Sequence, residues 1–257
     1  MTRVLLALVL GLEMGWSLRA EGVEIIGHRG ASHDAPENTL ASVMLAWQQG
    51  ADAVEIDVFL SKDGRIIAIH DKTTKRLAGL DRPVADQTFA ELRQLDVGLW
   101  KGGQFAGERI PTLAEVLATI PDGRRLFIEI KCGPEIVPEL KRELDAARKD
   151  PRQTAVIGFS LETVAAVKRE LPLLACYWVV ELKPDETTGR LIPDAGELIG
   201  QAREAGLEGL DVGNSPPIDA EFVAAVKAAE LELYVWTVND VEAARRLRDL
   251  GIDGLTT

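Results

Sequence analysis

The sequence predicts an α/β protein, a (β/α)8 TIM barrel with a small insertion between strands 2 and 3. Three observations carry this. Eight short apolar runs alternate along the chain with amphipathic helical stretches. Residues that start and stop helices stand at the joints of that alternation. The chain has 257 residues, and a single barrel typically takes about 250.

In chain order, the strand-like runs are 23–27, 53–59, 126–131, 155–159, 173–179, 209–212, 232–237 and 252–256. Helices fall at 40–49, 113–119, 135–149, 161–170, 195–205, 220–229 and 241–250. Their N-termini carry side chains that accept from exposed backbone N–H groups: Asn38 or Thr39, Thr112 with Glu115 as a capping box, Ser160, Asp219, and Asn239 or Asp240. Gly50, Gly206 and Gly251 stand where helices should stop. The chain given ends at Thr257, on the tip of the eighth strand, with no closing C-terminal helix.

Residues 60–110 are too long for one strand-to-helix connection. Ser61-Lys62-Asp63-Gly64 followed by the apolar run 65–69 reads as a hairpin, and 71–111 as an insertion over the barrel mouth. Within it, Leu99, Trp100 and Phe105 are expected to form a small core that holds the insertion down; a wall or lid for substrate is the alternative. The connection 181–194 is a second expected rim loop.

The first twenty residues stand apart. Arg3 precedes an apolar run from 4 to 12, then a more polar stretch ending at Ala20, which reads as a signal peptide. The run is too short to span a bilayer, so no stable membrane span is expected. The domain division is therefore 1–20 signal and 21–257 barrel, with an extracytoplasmic location. An N-terminal helix packed on the domain is the alternative, and would leave the protein cytoplasmic.

Composition narrows the function. A 46% hydrophobic chain has too much aliphatic content for disorder. Forty-one acids against 29 bases give a net charge of −12, which excludes the extended basic face that nucleic acid needs. Two cysteines and three histidines exclude a disulfide scaffold or a multi-finger zinc protein. Cys132 and Cys176 fall on barrel strands one removed, about 10 Å apart and too far for a disulfide, so both are expected as thiols.

Strands covered on both faces should be continuously apolar. Two runs break that rule. In Val54-Glu55-Ile56-Asp57-Val58 two carboxylates point to one face, and in Ile128-Glu129-Ile130-Lys131 a carboxylate and an ammonium do the same. Adjacent buried carboxylates repel and lose hydration, so they need a cation or a proton. One reading is a half-exposed strand or a structural Glu–Lys pair. The other is a site for a hard divalent cation, Mg2+ or Ca2+, ligated by Glu55, Asp57 and Glu129. His28 and His70 end strand-like runs at the same side and suit a general acid and a general base. Arg29 and Lys131 would supply positive charge for a phosphate. His33 lies in a polar loop and is expected to be solvated.

These residues fall in an ordered series: His28-Arg29-Gly30, Pro36-Glu37-Asn38-Thr39, Glu55-Ile56-Asp57, His70-Asp71 and Glu129-Ile130-Lys131. Val235-Trp236-Thr237-Val238-Asn239 and Gly251-Ile252-Asp253-Gly254-Leu255 follow late in the chain. The series resembles the motifs of the glycerophosphodiester phosphodiesterases. The resemblance implies a metal-dependent hydrolase that cleaves a small-molecule glycerophosphodiester to sn-glycerol 3-phosphate and an alcohol. It implies one divalent cation on Glu55, Asp57 and Glu129, with His28 accepting and His70 donating a proton. The glycerol hydroxyl beside the phosphate would attack first, giving a cyclic phosphate that water opens. Glu37 would orient His28 or Arg29, Asn38 would cap the first helix, and Trp236 would pack against glycerol. The alternatives are a phospholipase-D-like hydrolase of lysophospholipids on this fold and a non-catalytic phosphodiester-binding barrel. Oligomeric state and the identity of the alcohol are not specified at this level.

Overall fold

The computed structural model describes residues 22–188, 191–214 and 217–257. The expected signal segment 1–20 lies outside the described residues. The chain begins with strand β1 (Glu24–Gly27), helix α1 (Leu40–Gln48) and strand β2 (Ala53–Leu60), which turns back into β3 (Ile66–Ala68). Two single-turn helices follow, α2 (Lys75–Ala78) and α3 (Phe89–Leu92), and then α4 (Leu113–Leu117). The alternation resumes with β4 (Arg125–Ile130), α5 (Val137–Ala147), β5 (Thr154–Gly158), α6 (Leu161–Glu170) and β6 (Ala175–Val180). A rim hairpin, β7 (Lys183–Pro184) and β8 (Leu191–Ile192), precedes α7 (Ala195–Glu204). The last elements are β9 (Gly209–Gly213), α8 (Ala220–Ala228), β10 (Glu232–Trp236), α9 (Val241–Leu250) and β11 (Gly254–Thr256).

Eight parallel strands close on themselves in the order β1, β2, β4, β5, β6, β9, β10, β11, with β11 pairing back onto β1. This is the predicted TIM barrel, and the predicted hairpin is present as β3 antiparallel to β2. Two apolar layers hold it. Outward-facing strand residues such as Val54, Ile56, Ile128, Val156, Leu210 and Leu233 pack under the helices. Inward-facing Phe127, Tyr177 and Tyr234 fill the barrel, with ring centroids 4.8–5.9 Å apart. Below them Arg125 bonds Glu24 at 2.8 Å and the Tyr234 hydroxyl at 3.1 Å, so the interior is a packed plug.

Several expected caps are realised. Thr112 and Glu115 form a capping box, Ser160 and Asp219 accept from the third residue of their helices, and Asp240 caps α9. Thr39 caps α1; Asn38 does not, because its side chain is committed to Asp57. The insertion has its own core, formed by Phe59, Ile67, Ile69, Leu77, Val84, Leu92, Val97 and Ile110. Leu99 and Trp100 are not part of it: they stand 59% and 44% exposed, with the Trp100 indole N–H donating to the Val97 carbonyl. Cys132 and Cys176 are thiols, as expected.

Candidate active site

The site lies at the C-terminal ends of the strands and grows from their register. Asp57 on β2 sits directly beside Glu129 on β4, and Glu55 lies one inward position lower on β2. The three carboxylates converge, with ligand atoms all within 4.8 Å of one another. All three are buried, which pushes each of them up, and their neighbours then separate them. Burial, then the charges of Asp57 and Glu129, raises Glu55 well above the usual carboxylate range. Burial, then Asp57, raises Glu129 to about 7. Burial also acts upward on Asp57, but Lys131 and Arg29 outweigh it and hold that group low.

Glu55 Oε1 is buried without a hydrogen-bond partner, while Oε2 accepts from the Arg29 backbone N–H at 2.9 Å. Three hard carboxylate donors, two of them with a buried oxygen that has no hydrogen-bond partner (Glu55 Oε1 and Asp57 Oδ1), fit a divalent cation better than they fit a bare protein interior. The protein's own cations close in on the same cluster. Lys131 Nζ lies 2.6 Å from Glu129 Oε1 and 3.2 Å from Asp57 Oδ1, and Arg29 Nε lies 3.2 Å from Asp57 Oδ2.

Backbone geometry places Arg29. It and Gly30 take positive φ values of 56° and 81° in the turn after β1. A Cβ at Gly30 would meet Ser42 at 2.5 Å, so glycine is what lets this loop lie against α1. Ser42 Oγ then donates to the Arg29 carbonyl at 2.9 Å.

His28 and His70 line one cavity of about 250 Å³ together with Arg29, Glu55, Glu129, Lys131 and Trp236. Burial first, then the Arg29 charge, lowers His28 to about 4, so its imidazole is neutral at ordinary pH. His70 Nδ1 lies 2.7 Å from Asp71 Oδ1. Arg76 on α2 donates to Asp71 at 2.6 Å and makes a two-pronged contact with Glu37 at 2.6 and 2.9 Å. Glu37 in turn meets Arg29 at 3.2 Å. The insertion therefore ties the Arg29 loop to His70 through Glu37, Arg76 and Asp71. His33 is solvated, its side chain 99% exposed.

Trp236 closes one wall, its indole N–H donating to the Asp211 carbonyl and its ring edge-to-face with Phe159 at 5.7 Å. Phe159 also lies under Lys131 Nζ, 5.6 Å from the ring centroid. The structure adds four residues to those expected: Asp71, Arg76, Phe159 and Asp211. Asp71 was visible beside His70. Asp211 breaks the apolar rule for barrel strands as Glu55 does, but as a lone acid between Leu210 and Val212 it draws no notice. Arg76 had no signal, because its partners are distant in sequence.

Fold and site together define a (β/α)8-barrel enzyme with its chemistry at the C-terminal ends of the strands. Residues 28–257 match the model of the glycerophosphoryl diester phosphodiesterase family. The chain belongs to that family and is a phosphoric diester hydrolase. It is 34% identical over 237 residues to a glycerophosphodiester phosphodiesterase of Caldanaerobacter subterraneus subsp. tengcongensis, covering 91% of this chain and 93% of the relative. Among solved structures, a phosphodiesterase of Oleispira antarctica, in complex with the product sn-glycerol-3-phosphate, superimposes with a TM-score of 0.82. That pair shares 32% identity over 91% of this chain and 92% of the other. A glycerophosphodiester phosphodiesterase of Thermotoga maritima gives a TM-score of 0.73 at 28% identity, covering 93% and 96%. Among the described residues, no helix is long and apolar enough to cross a membrane.

Proposed function

We propose that this enzyme hydrolyses glycerophosphodiesters to sn-glycerol 3-phosphate and an alcohol, using His28 and His70 as its acid–base pair. The observation that carries the reading is the convergence of three buried carboxylates, two imidazoles and two cations on one small cavity. The relative that holds sn-glycerol-3-phosphate as product supports the substrate class. Glu55, Asp57 and Glu129 would hold one divalent cation, Mg2+ or Ca2+, which when bound supplies positive charge to the phosphate oxygens.

The residues of the chain divide the remaining work. Arg29 and Lys131 bind and orient the phosphate. The neutral His28 imidazole accepts the proton of the glycerol hydroxyl beside the phosphate as that oxygen attacks phosphorus. Holding hydroxyl and phosphorus in one molecule lowers the entropic barrier of this step. Asp71 accepts from His70 Nδ1–H and orients the ring, leaving Nε2 to deliver a proton to the departing alcohol. Water then opens the cyclic phosphate with the two imidazoles in reversed roles: His70 accepts the proton of water and His28 returns its proton to the glycerol oxygen.

The test is a panel of glycerophosphocholine, glycerophosphoethanolamine and lysophosphatidylcholine, assayed with Mg2+, Ca2+ or chelator. Glycerol 3-phosphate released from the first two, and abolished by chelator, is the expected result. No glycerol 3-phosphate under any metal overturns the reading, and turnover confined to the lysolipid transfers it to the phospholipase-D-like alternative.

A further inference from the structure

Asp211 is a charged residue type on a barrel strand, 3% exposed, and its Oδ1 is buried with no hydrogen-bond partner. Such an atom costs stability unless something satisfies it. The cation-ligand cluster does not include it: that cluster consists of Glu55, Asp57 and Glu129. Its place in the barrel shows what could. On β9 it lies in register with Val179 of β6 and Tyr234 of β10, both inward-facing, and it lines the catalytic cavity. The lining of that cavity is apolar at Ile157, Val179 and the Trp236 indole and polar at Glu55, Glu129 and Thr256. Beneath that level the Phe127, Tyr177 and Tyr234 rings close the barrel. An unsatisfied carboxyl beside that closed ring layer is suited to a small group with a hydroxyl at its tip.

Resting on the function proposed above, we propose that Asp211 hydrogen-bonds the terminal hydroxyl of the substrate's glycerol moiety and selects diesters in which that hydroxyl is unsubstituted. Connectivity assigns the hydroxyl. The one beside the phosphate must reach phosphorus at the charged end, where His28 stands. The terminal one is a carbon further away and reaches the floor. The alcohol group varies in size among these diesters, and a closed floor does not accommodate it, so it points to the mouth. An acyl chain on the terminal oxygen removes its proton and fills the space before Asp211, so lysophospholipids are disfavoured by the same contact. Burial, followed by the Glu129 charge, holds the Asp211 carboxyl well above its usual range, and a neutral carboxyl can both donate to and accept from a hydroxyl.

The experiment compares kcat/KM for glycerophosphocholine with that for the phosphocholine diester of propane-1,2-diol esterified at C1. The second diester keeps the attacking hydroxyl and lacks only the terminal one. Wild type should prefer glycerophosphocholine by roughly 10- to 100-fold, the range expected for one buried hydrogen bond. Asp211→Leu and Asp211→Ala should bring that ratio to near 1, and Asp211→Asn should keep it within a few-fold of wild type. The ratio of glycerophosphocholine to glycerophosphoethanolamine should not move in any variant. A preference that survives Asp211→Leu or Asp211→Ala overturns the assignment, as does a wild-type ratio near 1. A shift only between the two head groups also overturns it, and places Asp211 at the alcohol instead. If Asp211→Leu does not fold, the Ala and Asn variants decide the matter by the same ratios. Wild type inactive on both diesters is a different failure: it removes the parent reading, and this one with it.

Discussion

Asn38 grips Asp57 at two points: its Nδ2 donates to the carboxylate at 2.8 Å, and its Oδ1 accepts from the Asp57 backbone N–H at 3.0 Å. Both residues are almost wholly buried. The contact fixes the rotamer of a carboxylate that both cations of the site also address, and Asn38 takes a φ of 56° to reach it.

Asn38→Gly tests that grip, because glycine tolerates the positive φ and removes only the side chain. Losing hydrogen bonds to a buried charge should lower unfolding free energy by about 2–3 kcal/mol. Chemical denaturation of wild type and variant measures it. A difference below about 0.5 kcal/mol would mean that Arg29 and Lys131 alone hold Asp57.

Glu129→Gln removes one of the three proposed ligands while keeping size and one acceptor oxygen. Divalent-cation affinity should fall at least ~10-fold, with turnover falling alongside. Calorimetric titration with Mg2+ and Ca2+ gives the affinity directly. Unchanged affinity removes Glu129 from the ligand set.

His28 should titrate near 4 in the metal-free protein, because burial and Arg29 both oppose its charged form. A depressed value leaves the imidazole neutral above that pH, as a proton acceptor requires. With three histidines in the chain, its imidazole resonance can be assigned by its loss in His28→Asn. A midpoint at or above the ordinary 6.5 contradicts the resident neutral base.

Glu143 on α5 offers a prediction about stability alone. Its side chain is 2% exposed, neither oxygen has a hydrogen-bond partner, and Arg142 stands 3.8 Å off. Burial, then the Glu139 charge, raises it from 4.5 to about 7. The folded protein therefore holds a proton that the unfolded chain has lost between pH 4.5 and 7, and stability falls as pH rises through that window. Glu143→Gln should match wild type near pH 4 and exceed it at pH 8 by on the order of 2 kcal/mol. Thermal melts at both pH values check it, and equal gains at both would exclude ionisation as the cause.

Much of this protein is legible without coordinates. The strand alternation, the caps at Thr112, Ser160 and Asp219, and the same-face pairs Glu55–Asp57 and Glu129–Lys131 follow from local rules of period and hydrogen bonding. These depend on neighbours within a few residues, which a sequence displays. Leu99 and Trp100 show where that reasoning fails. Apolar character suggested burial, but the core of the insertion is built from Leu77, Val84, Leu92 and Val97, which fit the space under the loop.

The sequence by itself determined the fold, the family motifs and which faces of two strands carry charge. Only the tertiary structure set Asp57 beside Glu129, joined Arg29 to His70 through Arg76, and brought Asp211 into the lining of the cavity. The physical reason lies in the range of each effect. Periodicity and capping act along the chain, whereas strand register, charge coupling and burial act between segments that meet only when the barrel closes.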